Sequence, residues 1–225
     1  MIDQTTRPDW RNGRVPVSPR FDDPYFSLEN GLAETAHVFL AGNGLPGRFV
    51  QGFHIAELGF GTGLNMFAAL RDWTQGGVDG PLRFTSFEAF PLQAQDMAHA
   101  LQAFPELAEI AAPFLRAWAQ GARHFRDDRL IAEIHIGDAR KTLPRWQGKA
   151  DAWFLDGFSP ARNPELWEPA LLADVARHTR PGGTAATYTA AGFVRRGLQG
   201  AGFQVERRTG FGRKRHMTVA RMVKT

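Results

Sequence analysis

From Phe53 onward the chain alternates short apolar runs with stretches of helical apolar spacing, divided by breaks that carry glycine or proline. The run from Phe53 closes at Glu57, glycines follow at every second position (Gly59, Gly61, Gly63), and a helix is expected from about Leu64. Leu82 to Phe87 reads as a second strand finishing at Glu88, and Ile131 to Ile136 as a third, followed by Gly137-Asp138. Ala152 to Leu155 is apolar with two aromatics, as befits a strand buried on both faces, and Asp156 ends it. Thr184 to Thr189 reads as a fifth strand, and Phe203 to Arg208 with His216 to Met222 as a closing antiparallel pair. Strand and helix in alternation predict an α/β fold with a mostly parallel, doubly wound sheet.

The segments between the strands fit that plan. Leu92, Met97, Leu101, Phe104, Leu107, Ile110, Phe114, Leu115 and Trp118 predict two or more helices over one face of the sheet, within Pro91 to Phe125. Glu165 to His178 and Ala190 to Gln199 have helical spacing, the second closed by Gly200 and Gly202. Ahead of the alternating region, Pro8 to Pro24 is polar and turn-rich, with Arg11-Asn12-Gly13-Arg14 as a hairpin signal. A helix follows from about Gly31 to Leu40, with Leu32, Ala36, Phe39 and Leu40 on one face. The expected organisation is a small N-terminal extension, residues 1–50, packed on a domain of residues 51–225.

Asp156 places a carboxylate at the C-terminal end of a central strand, the edge where ligands bind in open α/β sheets. Gly157, Pro160 and Asn163-Pro164 also suit an ordinary turn in which Asp156 caps the next helix. Phe158, Asn163 and Trp167 tip the reading toward a site, since aromatic surface on a solvent-facing loop has no folding purpose. The alternating glycines let the backbone turn tightly and approach a ligand without Cβ atoms in the way. Their register departs from the dinucleotide fingerprint G-x-G-x-x-G, and no Gly-Lys-Ser/Thr follows to make a nucleoside triphosphate loop.

An acidic residue before G-x-G-x-G resembles the first motif of class I S-adenosylmethionine-dependent methyltransferases. The resemblance implies a Rossmann-like fold of that class, with the antiparallel pair at its C-terminus. It implies cofactor contacts from Glu57, Gly59, Gly61, Gly63 and Asn65, from Glu88 to the ribose hydroxyls, from Asp138 to the adenine amine, and from Asp156. Each acid singly also reads as a helix cap or a solvated charge. Their joint occurrence at the ends of successive strands favours the site.

Composition narrows the chemistry. With 225 residues, 43% of them hydrophobic, the chain can bury one full core. It has no cysteine, so disulfides, thiolate metal sites and cysteine nucleophiles are excluded. The seven histidines show no ligand spacing, and no metal is expected. The amino terminus lacks the apolar centre of a signal peptide and no stretch reaches the length of a membrane span. A soluble, cytoplasmic protein with no membrane partner is expected. Net charge is only +4, yet Arg195, Arg196, Arg207, Arg208, Arg213, Lys214, Arg215, Arg221 and Lys224 face Glu206 alone in the last part of the chain. That asymmetry fits a polyanionic partner, with a solvated basic face as the plain alternative.

The segment Asp156 to Trp167, DGFSP-x-x-NP-x-x-W, resembles the MnmC methyltransferase-domain family, whose stand-alone members are termed MnmD. Glu57 to Asn65, Ser86 to Pro91, Arg180 to Arg196 and Gly210 to Arg215 share the likeness, which runs from about Phe21 to the C-terminus. It implies methyl transfer from S-adenosylmethionine to the exocyclic amine of 5-aminomethyl-2-thiouridine at the tRNA wobble position. Asp156 is then the expected catalytic residue, positioning the amine and assisting its proton loss. Phe158, Ser159, Asn163, Tyr25 and Phe26 are expected at the base, and Arg195, Arg196, Arg213, Lys214 and Arg215 at tRNA phosphates. Since the sequence stops at Thr225, no flavin is expected. The aminomethyl substrate would then come from upstream aminomethyl-uridine-forming enzymes or a separate flavin-dependent oxidase. The missing cysteine suits an amine acceptor, because methylation at a pyrimidine ring carbon ordinarily needs a cysteine adduct. A methyltransferase for another amine, or a non-catalytic RNA-binding module on the same fold, is the alternative.

Overall fold

The structure, a computed structural model, describes residues 6–27 and 29–223; Lys224 of the basic C-terminal group lies outside the described residues. The chain opens with β1 (Asp9–Arg11), β2 (Val15–Ser18) and β3 (Asp23–Pro24), a three-stranded antiparallel sheet. Asn12 and Gly13 both have positive φ (53° and 64°), the backbone of a tight hairpin turn that asparagine and glycine reach at least cost. Next, α1 (Gly31–Thr35) is capped by the Asn30 side chain, which accepts from the Ala33 N–H, and runs directly into a π turn at Ala36–Leu40.

The main sheet begins with β4 (His54–Leu58), followed by α2 (Leu64–Gln75), β5 (Leu82–Glu88), α3 (Ala94–Leu101) and α4 (Ala108–Ala119). Then come β6 (His124–Arg126), β7 (Leu130–Ile136), α5 (Ala139–Thr142), β8 (Ala150–Leu155) and α6 (Pro169–Arg177). The chain closes with β9 (Thr179–Thr187), α7 (Gly192–Gly200), β10 (Phe203–Thr209) and β11 (His216–Met222). Spatial order across the eight strands is β10-β11-β9-β8-β4-β5-β7-β6. The five central strands from β9 to β7 run parallel, while β11 lies antiparallel between β9 and β10. Strand order reverses at β4, so the crevice above β4 and β8 is where loops diverge and a ligand can enter.

Every residue of β4 is buried, as a central strand covered on both faces requires. One core layer joins Phe67, Leu70 and Trp73 of α2 to Met97, Phe114 and Trp118 of α3 and α4. The opposite layer gathers Trp153, Trp167, Leu172, Val175, Val194 and Leu198 beneath α6 and α7. Phe26, Leu32, Val38, Phe39, Leu40 and Leu45 belong to the first layer, so the segment before residue 50 is built into the same core as the sheet. Among the described residues no helix is long and apolar enough to cross a membrane.

Several boundaries differ from the sequence reading, each for a local reason. β9 starts at Thr179, because its first residues pair with β8 across a register shift near Ala150 and Ala152 that accommodates Pro181 and Gly182 (φ 74°). The continuous helix expected from Glu165 is a 3-10 turn, Pro164–Trp167, and a separate α6. Glu168 between them is extended (ψ 141°) because Pro169 disfavours a helical residue before it. β6 went unread: three residues, two of them exposed, carry no apolar signal.

Candidate active site

The glycine loop joins β4 to α2 at the switch point. Gly59, Gly61 and Gly63 all have positive φ (89°, 52° and 77°), so each uses a conformation that side chains resist. Gly59 is the tightest position: a Cβ there would lie 2.4 Å from the Asp156 carbonyl oxygen. A Cβ on Gly61 would come within 3.1 Å of the Tyr25 ring. Gly63 ends the loop as the residue that caps α2, and a Cβ there would meet Phe67 at 2.9 Å.

The Asn65 side chain lies at the start of α2 and makes three contacts. Its Nδ2 donates to Asp156 Oδ2 (2.6 Å) and to Glu57 Oε1 (2.9 Å), while its Oδ1 accepts from the Thr35 hydroxyl (2.8 Å). Glu57 has no exposed surface, and its other oxygen accepts from Ser86 Oγ (2.8 Å). Burial, and next the charge of Asp156, hold the Glu57 carboxyl well above the ordinary range. Glu57 therefore does not face the cavity, where the first-motif resemblance had placed it at the cofactor. It braces Asn65 from beneath.

Asp156 follows β8 directly, and its N–H bonds to the Leu58 carbonyl (3.0 Å), which fixes it beside β4. Burial pushes its pKa up to about 7 against the hydrogen bond from Asn65; Glu34 and Asp23 push the same way, and Lys214 opposes them. The carboxylate thus changes charge near neutrality. Glu88, at the end of β5, accepts from the Gly61 N–H (3.0 Å) and the Phe90 N–H (2.7 Å). Burial raises its pKa, and those backbone donors limit the rise. Asp138 caps α5 through the Arg140 N–H, and the Arg140 guanidinium grips both its oxygens. That grip holds Asp138 below the usual carboxylate range.

An aromatic wall closes one side. Phe158 stacks on Phe21 (4.8 Å between ring centres) and meets Tyr25 edge-on (5.1 Å), while Phe21 meets Phe90 (5.8 Å). The N-terminal segment clasps the loop after β8: the Ser159 N–H donates to Asp23 Oδ2 (2.8 Å), and Arg162 bonds the Phe21 carbonyl (2.9 Å) and pairs with Asp22 (2.7 Å). Asn163 closes that loop with a backbone bond to Ser159 (2.9 Å). Phe26 is buried against Phe104 (5.2 Å) and also lines the cavity.

The opposite side comes from α1 and the β10–β11 loop. Lys214 Nζ lies 2.7 Å from Glu34 Oε1 and 4.1 Å from the centre of the Tyr188 ring, whose hydroxyl donates to the Gly157 carbonyl (2.7 Å). Arg213 pairs with Glu29 (3.2 Å). Arg213 and Lys214, read from the sequence as phosphate ligands, are both paired with acids of α1 and its approach, and Lys214 is part of the cavity wall. Arg195, Arg196 and Arg215 lie outside the cavity. Burial depresses the His216 pKa, and then the nearby charges of Arg207, Arg215 and Arg195 do so as well, so these three arginines converge there.

Together these elements enclose a cavity of about 900 Å³, lined among others by Gly59, Gly61, Asn65, Glu88, Asp138, Asp156, Phe158, Tyr188 and Lys214. Glu57 and Gly63 do not line it. Sequence reasoning missed Glu34, Tyr188, Phe21, Phe90 and Asp23. Phe21, Phe90 and Tyr188 had a hint, since each falls within a stretch that carries the family likeness, while Glu34 and Asp23 become neighbours of the site through the fold.

The residues present suit S-adenosylmethionine. The glycine backbone leaves open the space that Cβ atoms would fill, and Glu88 keeps acceptor capacity on two oxygens for vicinal hydroxyls. A glycine cradle between strand and helix, with an acid at the end of the next strand and a sheet of this order, is the arrangement of a class I methyltransferase. Consistent with it, a family model described as S-adenosyl-L-methionine-dependent methyltransferase matches residues 105–223, and the chain belongs to that family. The chain is 45% identical over 218 residues to a Leptospira borgpetersenii protein named tRNA 5-methylaminomethyl-2-thiouridine biosynthesis bifunctional protein MnmC, covering 92% of this chain and 33% of that one. A protein of the same name from Aeromonas hydrophila is 46% identical over 228 residues, with 94% and 34% covered. The crystal structure of MNMC2 from Aquifex Aeolicus superposes with a TM-score of 0.76 at 27% identity, over 92% of this chain and 65% of that one. The MnmC likeness read from the sequence is borne out. The chain spans about a third of the length of the curated relatives it matches.

Proposed function

We propose that this protein methylates the exocyclic amine of 5-aminomethyl-2-thiouridine at the wobble position of tRNA, giving 5-methylaminomethyl-2-thiouridine. The observation that carries the reading is Asp156: a carboxylate on the cavity wall, fixed by Asn65 at 2.6 Å and titrating near neutrality, beside a glycine cradle. Gly59, Gly61, Asn65 and Glu88 would hold S-adenosylmethionine, with Asp138 at its adenine. When bound, that cofactor supplies an electrophilic methyl group.

An ammonium has no lone pair, so the acceptor must lose a proton before it attacks. Asp156 Oδ2 is taken by Asn65, which leaves Oδ1 to accept an N–H from the amine and aim its lone pair. Once ionised, Asp156 can also receive the proton. Phe158, backed by Phe21 and Tyr25, offers a surface on which an extruded pyrimidine can stack. Glu34 and Asp23 add negative potential that draws a cationic amine inward. The convergent Arg195, Arg207 and Arg215, with Arg196 on the same helix as Arg195, would hold phosphates outside the cavity. A separate flavin-dependent oxidase, or enzymes that install the aminomethyl group directly, would supply the substrate.

The test is nucleoside mass analysis of tRNA carrying the aminomethyl base, incubated with S-adenosylmethionine and this protein. The wild type should add one methyl to that nucleoside, and Asp156→Asn should slow the addition by about 100-fold or more. Absence of the methylated nucleoside with the wild type, while the protein binds the cofactor, would refute the assignment of substrate.

A further inference from the structure

The target nucleotide of an RNA strand has a phosphate backbone on both flanks, so a protein that takes one base into a cavity gains from basic groups on both sides of the mouth. The converging Arg195, Arg207 and Arg215 lie at the β10–β11 end of the sheet. The N-terminal hairpin packs instead against the segment that follows β5, from Pro91 to α3. Its place is fixed there: the Thr6 N–H donates to the Pro91 carbonyl (3.1 Å), and Trp10 stacks on His99 of α3 (4.0 Å, 20° between planes). His99 Nε2 in turn donates to the Gly13 carbonyl at the hairpin tip (3.0 Å). The tip is thus held by its turn geometry, an aromatic stack and a side-chain hydrogen bond.

Arg11 and Arg14 project from the two sides of that tip, both exposed, and together with Asn12 and Val15 they line a small cleft. Arg20, farther along the same sheet, lies on the cavity wall with its guanidinium 4.6 Å above the Phe90 ring and 5.6 Å from the Phe21 ring. Several arginines elsewhere pair with acids, as in Arg140 with Asp138, Arg162 with Asp22 and Arg180 with Asp151. Among the described residues Arg11, Arg14 and Arg20 enter no ion pair.

We propose that Arg11 and Arg14 of the N-terminal hairpin bind the phosphate backbone of the RNA on the flank opposite the Arg195–Arg207–Arg215 cluster, with Arg20 continuing the track to the cavity mouth. The inference rests on the reading of an RNA substrate. Guanidinium forks on a rigid turn match phosphate oxygens in a way that a mobile charge run does not. RNA is favoured over an acidic polypeptide because the track leads into the cavity that would receive the base.

The experiment measures binding of the whole chain to unmodified tRNA between 50 and 200 mM salt, for the wild type and for Arg11→Gln with Arg14→Gln. Each single-strand phosphate contact contributes roughly 0.7 to the slope of log affinity against log salt. The double variant should lose about 1.4 from that slope and bind roughly tenfold more weakly at the lowest salt. Its affinity for S-adenosylmethionine should be unchanged, which reports an intact fold. If the pair loses cofactor binding, the single variants decide, each expected to remove about 0.7. A wild-type slope in a folded variant overturns the hairpin assignment alone, whereas a wild type that binds no tRNA overturns the RNA reading with it. Displacement of tRNA by poly-glutamate from the wild type but not from the variant would assign the hairpin to an acidic polypeptide and also overturn the proposal.

Discussion

Asn65 Nδ2 donates one hydrogen to Asp156 (2.6 Å) and the other to Glu57 (2.9 Å), so a single amide links the carboxylate on the cavity wall to one with no exposed surface. Both acids have raised pKa values, burial being the leading cause in each, and the charge of Asp156 further raises that of Glu57. Of the groups that keep Asp156 from rising further, Asn65 comes first and Lys214 second. Asn65→Ala removes that stabilising bond, so the pKa of Asp156 should rise above about 7. The acidic limb of the kcat profile should then move to higher pH, with the plateau rate reduced about tenfold by lost positioning. A limb at its wild-type position would show that Asn65 does not set the charge of Asp156.

Stability should respond to the same group, with the sign reversed from the usual aspartate. Its folded pKa, about 7, lies above the ordinary carboxylate value, so the folded state keeps a proton that the unfolded chain has released. Stability is therefore lost as pH rises from the ordinary carboxylate range to about 7, and the loss is complete above that. Asp156→Asn removes a carboxylate that is costly to ionise. The variant should melt higher than the wild type at pH 8 and show little difference at pH 4, which thermal melts at the two pH values will check. Equal differences at both would exclude this linkage.

What the sequence carried and what it did not follow from separate physical causes. Runs such as Ala152 to Leu155 are apolar because strands covered on both faces must be, and alternating glycines are needed where φ is positive, so both leave local traces. Asp156, Glu88 and Asp138 were legible because strand ends are predictable once the strands are. The cluster of Glu34, Tyr188 and Lys214 left no such trace: α1, the end of β9 and the β10–β11 loop are far apart in the chain, and no local pattern announces their meeting. Glu57 misled for a related reason. An acid at a strand end looks the same in sequence whether it faces a ligand or, as here, lies beneath a neighbouring amide.

Gly59 offers the sharpest steric test. A methyl group there would lie 2.4 Å from the Asp156 carbonyl oxygen, a backbone atom that cannot swing aside, and φ of 89° adds strain of roughly 1–3 kcal/mol. Gly59→Ala should therefore displace the Asp156 loop and abolish cofactor binding. Gly61→Ala meets only the Tyr25 ring at 3.1 Å and should retain measurable, weakened binding. Calorimetric titration with S-adenosylmethionine separates the two, and equal affinities would contradict the close approach of these loops.

Glu34 and Lys214 act on Asp156 with opposite signs. The carboxylate raises its pKa and the ammonium lowers it, while the two hold one another at 2.7 Å. Lys214→Met should move the acidic limb of activity upward, because the Glu34 charge then acts unopposed. Glu34→Gln should move it downward for the converse reason. With both substitutions the two influences vanish together, and the limb should return close to its wild-type position, although the loop loses its tether to α1 and the KM for tRNA rises. A double variant whose limb matches either single variant would mean that one of the two residues alone controls Asp156, and the pair would then serve only to anchor the loop.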